Sequence, residues 1–183
     1  LGLFYQYEIK QGDKIIESSD KLVCHSFVKG WIVWLYTCLG YSNFAVSLLD
    51  TSNTLRTAVS CYCALNAVSG GSTYGSVVGT GNNAVALGDY ALQTQIAHGA
   101  GAGQLQYSAC TVGAPGYTST TITETVTRIF TNASGNTVTI NEIGLYEYDA
   151  IYGKIFCIAR DLSTIVLTDG AQLTLNYILE VSI

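Results

Sequence analysis

The 183-residue sequence contains no methionine, only two histidines (His25 and His98) and few charges: Asp, Glu, Lys and Arg together make up 11%. Ordinary soluble domains carry about 25% charged residues. Without methionine there is no initiator residue, so we expect a processed chain or a start that the sequence does not represent. Little charge means little strongly solvated surface. Apolar residues reach 49% and the mean hydropathy is +0.32. Large apolar patches are rare on monomers, and aromatic residues, here including 13 tyrosines, are enriched at interfaces. We therefore expect other chains to cover part of the exterior. The net charge is −5, with Lys and Arg dispersed, so the chain lacks the basic footprint of a nucleic-acid binder.

No uninterrupted apolar run approaches the roughly 20 residues that span a bilayer. The most hydrophobic segment, 26–49, is broken by Lys29, Gly30, Gly40, Ser42 and Asn43 and reads as a buried helix rather than a membrane span. Metal chemistry has little to draw on. The six cysteines are Cys24, Cys38, Cys61, Cys63, Cys110 and Cys157, and Cys61 and Cys63 lack the spacing of a zinc knuckle. They read as small buried hydrophobes, although sequence leaves disulfide formation open.

What is present is strand grammar. Leu173, Leu175, Tyr177, Leu179, Val181 and Ile183 alternate with mostly polar neighbours, a period that lines one face of a pleated strand and would scatter around a helix. The spacing predicts a mainly β protein, an antiparallel β-sandwich or jelly-roll-like fold with one amphipathic helix near the N-terminus. One domain, 1–183, divides into three stretches. Residues 1–67 hold strands at 3–9 and 14–17 around a turn at Gln11-Gly12-Asp13, a helix from Ser26 to Gly40, and a hairpin of 44–49 with 55–63. Residues 68–103 form a connector rich in Gly, Ser, Ala and Asn, with a helical turn at 90–96 capped by Asp89. Residues 104–183 form the antiparallel sheet. Within it, Thr121, Thr123, Thr125 and Thr127 oppose Ile122, Glu124, Val126, Arg128 and Phe130. A bulge is expected near Asn141-Glu142, a central strand at 154–160 because it is apolar on both faces, and a closing hairpin at Asp169-Gly170.

No catalytic residue, cofactor site or metal site is assigned. Gly79-Thr80-Gly81 imitates part of a dinucleotide fingerprint but lacks the helix and parallel unit the motif requires. His98 has no orienting carboxylate or nucleophile nominated by sequence. Glu142 and Glu147, five apart, fall on opposite faces of a regular strand and make a poor glycosidase pair. Asn132-Ala133-Ser134 fits a glycosylation acceptor but reads as a turn. The candidate subunit-interface residues are Glu124, Arg128, Phe130, Tyr146 and Tyr148. Glu124 and Arg128 admit two readings, an ion pair across a subunit contact or charges that guard an edge strand.

Residues 128–145, Ile158-Ala159-Arg160-Asp161 and 170–177 together resemble the small virion structural proteins of tailed bacteriophages. Val77-Val78-Gly79-Thr80-Gly81, His25-Ser26-Phe27-Val28 and Asp50-Thr51 are similar to the same group. The resemblance implies a non-enzymatic building block repeated on the head or tail and located in the virion. Its expected partners are copies of itself and other virion proteins, with a host-surface glycan as a further candidate. A carbohydrate-binding module and a surface-filament subunit are the alternative readings of the same composition.

Overall fold

The computed structural model describes residues 2–24, 27–40, 44–59 and 63–182. Strands β1 (Gly2–Gln11), β2 (Lys14–Ser18) and β3 (Leu22–Val23) precede helix α1 (Lys29–Gly40). After it come β4 (Phe44–Leu49), β5 (Leu55–Val59), β6 (Cys63–Ala64) and β7 (Gly75–Gly79), then the short β8 (Gln106–Tyr107), β9 (Thr111–Val112) and β10 (Gly116–Tyr117). Four long strands complete the chain: β11 (Thr121–Thr131), β12 (Val138–Asp149), β13 (Lys154–Leu167) and β14 (Ala171–Ser182). The protein is mainly β, and every pairing between these strands is antiparallel.

The larger sheet runs β10-β11-β14-β1-β2, with β3 on β1 and both β8 and β9 on β11. The alternating residues of β14 do share one face. Register places Leu173 beside Phe130 and Ile9, Leu175 beside Arg128, and Tyr177 beside Val126 and Tyr5. Residues directly opposite in an antiparallel ladder point to the same side, so these form one inner face. The threonines of β11 occupy the other face, where Thr127 donates to Asn176 Oδ1 at 2.7 Å.

The smaller sheet has β12 at its centre, flanked by β13 on one side and by β6 and β7 on the other. Side chains of both sheets meet in one hydrophobic cluster that includes Phe130, Leu173 and Tyr177 from the larger and Ile140, Leu145 and Ile165 from the smaller. The second face of β12 is covered by the segment after β7. A Cβ on Gly144 would lie 2.9 Å from Leu92 Cδ2 and 3.2 Å from Val77 Cγ2, so glycine leaves room for both side chains. Burial on both faces explains why Ile140 and Ile143 are both apolar. The pairing is irregular between Ile140 and Glu142, as the sequence suggests, and again between Leu145 and Tyr146. In each case the extra residue belongs to β13.

Several expectations are corrected. The strand at 154–160 extends to Leu167 and forms an edge of the smaller sheet, with β12 in the centre. Its apolar character on both faces comes from α1 and the segment before it. Phe27 bridges to Ala159, and Gly30 sits so near β13 that a Cβ would come within 2.1 Å of the Cys157 carbonyl oxygen. Around Cys157 and Ala159 this edge is therefore closed to pairing with another chain. Helix α1 is not clearly amphipathic. Lys29 and Thr37 are its most polar members, and Trp31 is buried while its neighbour Ile32 is exposed. It also starts only after three strands. The expected helix start at Ser26 lies outside the described residues, as do 60–62 of the second hairpin strand. The connector contains a core strand, β7, buried along its whole length, and 90–96 is not helical: Ile96 and Gln95 pair with the β7 end instead.

Asp169-Gly170 does turn the chain, with Gly170 at φ +77°, but it joins strands of different sheets. Asn132–Asn136 makes a second crossing at the same end. The two are tied together: Gly170 N donates to Asn132 O at 2.7 Å and Gly135 N to Asp169 Oδ1 at 2.9 Å. Asn132 is fully buried. Its Nδ2 donates to Leu167 O and Asn136 O, and its Oδ1 accepts from Ser134 N and Oγ. This amide is a structural fastening and leaves no exposed acceptor for a glycan. Asn132→Ala strands several buried backbone groups, so chemical denaturation should show a loss of about 2–4 kcal/mol.

Candidate functional site

At the fastened end, Phe130, Ile140, Ile165, Leu167 and Leu173 have no exposed surface. Towards the other end the inner face of the larger sheet runs on without full cover. Ile122 and Val181, paired across β11 and β14, are 48% and 42% exposed, and Tyr117, paired with Ile122, is 73% exposed. Val112, opposite Val126, is exposed as well. These four belong to the face that is core at the fastened end. They form an apolar lip where the layers part.

Beneath the lip lies a pocket of about 230 Å³. The larger sheet contributes Leu3, Val126, Tyr177 and Leu179; the smaller contributes Cys63, Leu145, Glu147 and Ile158; Trp31 of α1 and Glu124 of β11 complete much of its wall. Glu147 has no exposed surface, and neither carboxyl oxygen meets a nitrogen or oxygen donor. Burial pushes its pKa up to about 8, the Cys63 thiol pulls it back in part, and the Asp149 charge raises it further. A buried carboxyl without a counter-ion keeps its proton. The Tyr177 hydroxyl is also buried and unpartnered, and burial drives its pKa well above the usual phenol value. Glu124 is half-buried and forms no ion pair among the described residues.

The other buried charges have hydrogen-bond partners within the chain. Glu142 faces away from this pocket, accepting from Gly81, Gln93 and Thr94 amides and from Arg160 Nε at 2.8 Å. Arg160 also reaches Asp89 and Asn83 O. Gly79 and Gly81 are explained here, since a Cβ on either would lie 2.6 Å from the Glu142 carboxylate. Glu142 and Glu147 thus occupy opposite sides of β12, as their spacing requires. Asp89, expected as a helix cap, is an ion-pair partner.

Of the five interface candidates, three are engaged inside the chain. Arg128 has no exposed surface. It donates to the carbonyls of Ser108, Tyr74 and Ser76 at 3.0–3.1 Å, to Val68 O, and to Gly71 O, and stacks over the Tyr107 ring. It therefore pins the connector to β11. Phe130 packs edge-on against Tyr107, and the Tyr146 hydroxyl accepts from Leu92 N. Tyr148 stacks on Tyr74 and is half-buried, and Glu124 reaches the pocket. His98 accepts from Tyr107 N at 3.0 Å, a structural bond. Cys24, Cys63, Cys110 and Cys157 are not in disulfides; Cys61 and the side chain of Cys38 lie outside the described residues. Among the described residues, no group of three or more His, Cys, Asp or Glu is placed to hold a metal ion, and no helix is long and apolar enough to cross a membrane. Comparison with protein-family models, curated proteins and solved structures yields no match.

Neither Tyr177 nor the exposed lip stands out in the sequence, because both belong to an alternation that reads simply as core. Glu147 is visible as a carboxylate, but its isolation depends on which strands face it.

The isolation of Glu147 sets a pH dependence. Its folded pKa lies above the unfolded value near 4.5. The penalty is absent below that value, grows as the unfolded chain alone loses its proton, and levels off above about 8. Glu147→Gln removes it. In urea titrations the wild type should lose about 1 kcal/mol per pH unit relative to this variant between about pH 5 and pH 8. A constant difference would contradict the assignment.

Proposed function

We propose that the chain is a non-enzymatic structural subunit that assembles with copies of itself, and with other virion proteins, on the head or tail of a tailed-phage particle. The observation that carries the assembly reading is the uncovered lip formed by Tyr117, Ile122, Val112 and Val181. Four large apolar side chains, contiguous with the core and not covered by the chain itself, are stabilised by burial against another surface. A second copy supplies the same kind of surface, and the low charge of the chain keeps repulsion between copies weak. The virion setting rests on the sequence resemblance of 128–145, 158–161 and 170–177. The shared core of the two sheets supports a β-sandwich reading within this proposal.

Sedimentation velocity over a concentration series tests it. The wild type should associate reversibly, and Tyr117→Ser/Ile122→Thr should shift it to monomer without loss of thermal stability. A wild type that stays monomeric at its solubility limit, and does not co-sediment with phage particles, would overturn the proposal.

A further inference from the structure

We propose that the pocket between the parted ends of the sheets binds a small apolar amine, its alkyl stem against Leu3, Leu145 and Leu179 and its ammonium group on the carboxyl of Glu147. This goes beyond the assembly reading and does not depend on it. Three observations carry it. The pocket is a formed cavity of about 230 Å³ with predominantly apolar walls, smaller than the roughly 300–1,000 Å³ that holds drug-sized ligands. Two polar side chains in those walls, Glu147 and Tyr177, are at least nine-tenths buried and meet no nitrogen or oxygen partner among the described residues, the Cys63 thiol being the one group that hydrogen-bonds to the Glu147 carboxyl. Lastly, the pocket is lined by two carboxylic residues, Glu124 and Glu147, and by no Lys, Arg or His.

The charge pattern selects among ligands. An apolar carboxylate would enter a site with two acidic groups and no cation, where like charge opposes it. An apolar alcohol would satisfy one hydrogen bond but leave the acidic pair unbalanced. An ammonium group supplies the missing opposite charge and donates up to three hydrogen bonds, enough to engage Glu147 and the Tyr177 oxygen together. An opposite charge within about 4–6 Å lowers a carboxyl pKa by roughly 1–3 units, sufficient to ionise Glu147 near neutrality. Binding of the protonated amine therefore releases the Glu147 proton to solvent. The other titratable groups at the site are Glu124, Tyr177 and Cys63, with Asp149 two residues along β12.

The test is a titration of the full chain with hexylamine, using hexanol and hexanoate as controls, read by amide chemical shifts and calorimetry. It is run on the wild type and on Tyr117→Ser/Ile122→Thr, so that coverage of the pocket mouth by a second copy cannot hide binding. Hexylamine should bind with shifts centred on Leu3, Leu145 and Leu179, at least tenfold tighter than hexanol at about pH 8, while hexanoate does not bind. Its affinity should rise roughly five- to fiftyfold from about pH 6 to pH 8, following ionisation of Glu147. Octylamine should bind tighter, by about fourfold per added methylene until the pocket is filled. Glu147→Gln, which removes an unpaired buried acid and so preserves the fold, should reduce hexylamine to the level of hexanol. Glu124→Gln should leave the pH dependence in place. Equal binding of hexylamine and hexanol, tightest binding of hexanoate, unchanged affinity in Glu147→Gln, or no binding in either background would each overturn the proposal. Failure here leaves the assembly reading standing, because that reading is decided by sedimentation alone.

Discussion

Among the described residues, the ties between the two sheets, at Asn132 and Arg128, lie towards one end, and most of the molecule's features follow from that asymmetry. Asn132 ties both inter-sheet crossings together through bonds to Leu167, Asn136, Ser134 and the Gly170 amide. Next to it the layers close on Phe130, Leu173, Ile140 and Ile165, all without exposed surface. With distance from the fastening the inner face loses its cover, first at the pocket and then at Ile122 and Val181. The same residue alternation therefore produces core at one end and an exposed apolar surface at the other.

The polar interior shows the same division. Near the fastened region and behind β12, charge is buried only with complete compensation. Arg128 has carbonyl acceptors from five residues, and Glu142 is held by three backbone amides and Arg160. Compensation of this kind makes removal of either partner costly and fixes the glycine-rich connector in place without a long apolar run of its own. At the parted end Glu147 and Tyr177 are buried without such partners. Isolated polar groups beside a cavity are a liability for stability alone, and they make sense where a ligand or neighbouring surface completes them.

Much of the fold was legible because it depends on local period. The alternation of 173–181, the threonine face of β11, the turn at Gly12 and the irregularity near Glu142 all appear where side-chain pattern places them. What was not legible depends on contacts distant in sequence. Asp169-Gly170 has hairpin chemistry, yet its flanking strands belong to different sheets, because turn residues specify a reversal and not the partner. The stretch 154–160 looks central, yet it is an edge covered by the helix approach at Gly30. Arg128 reads as a surface charge because its acceptors lie 20–60 residues away and are backbone carbonyls, invisible to any side-chain pattern. Of the candidate site, Glu124 stands out in the sequence only as a candidate interface or edge charge, and Glu147 only as a poor partner for Glu142. Its value comes from being alone.

The central claim is that the parted end of the layers, and not the fastened one, is where this protein meets its partners. Hydrogen–deuterium exchange measured against protein concentration tests it most directly. On association, amides of 112–122 and 179–182 should gain protection, while those of 132–136 and 168–170 should not change. Protection that grows instead at the Asn132 fastening, or association with no change along β10, β11 and the end of β14, would contradict the account.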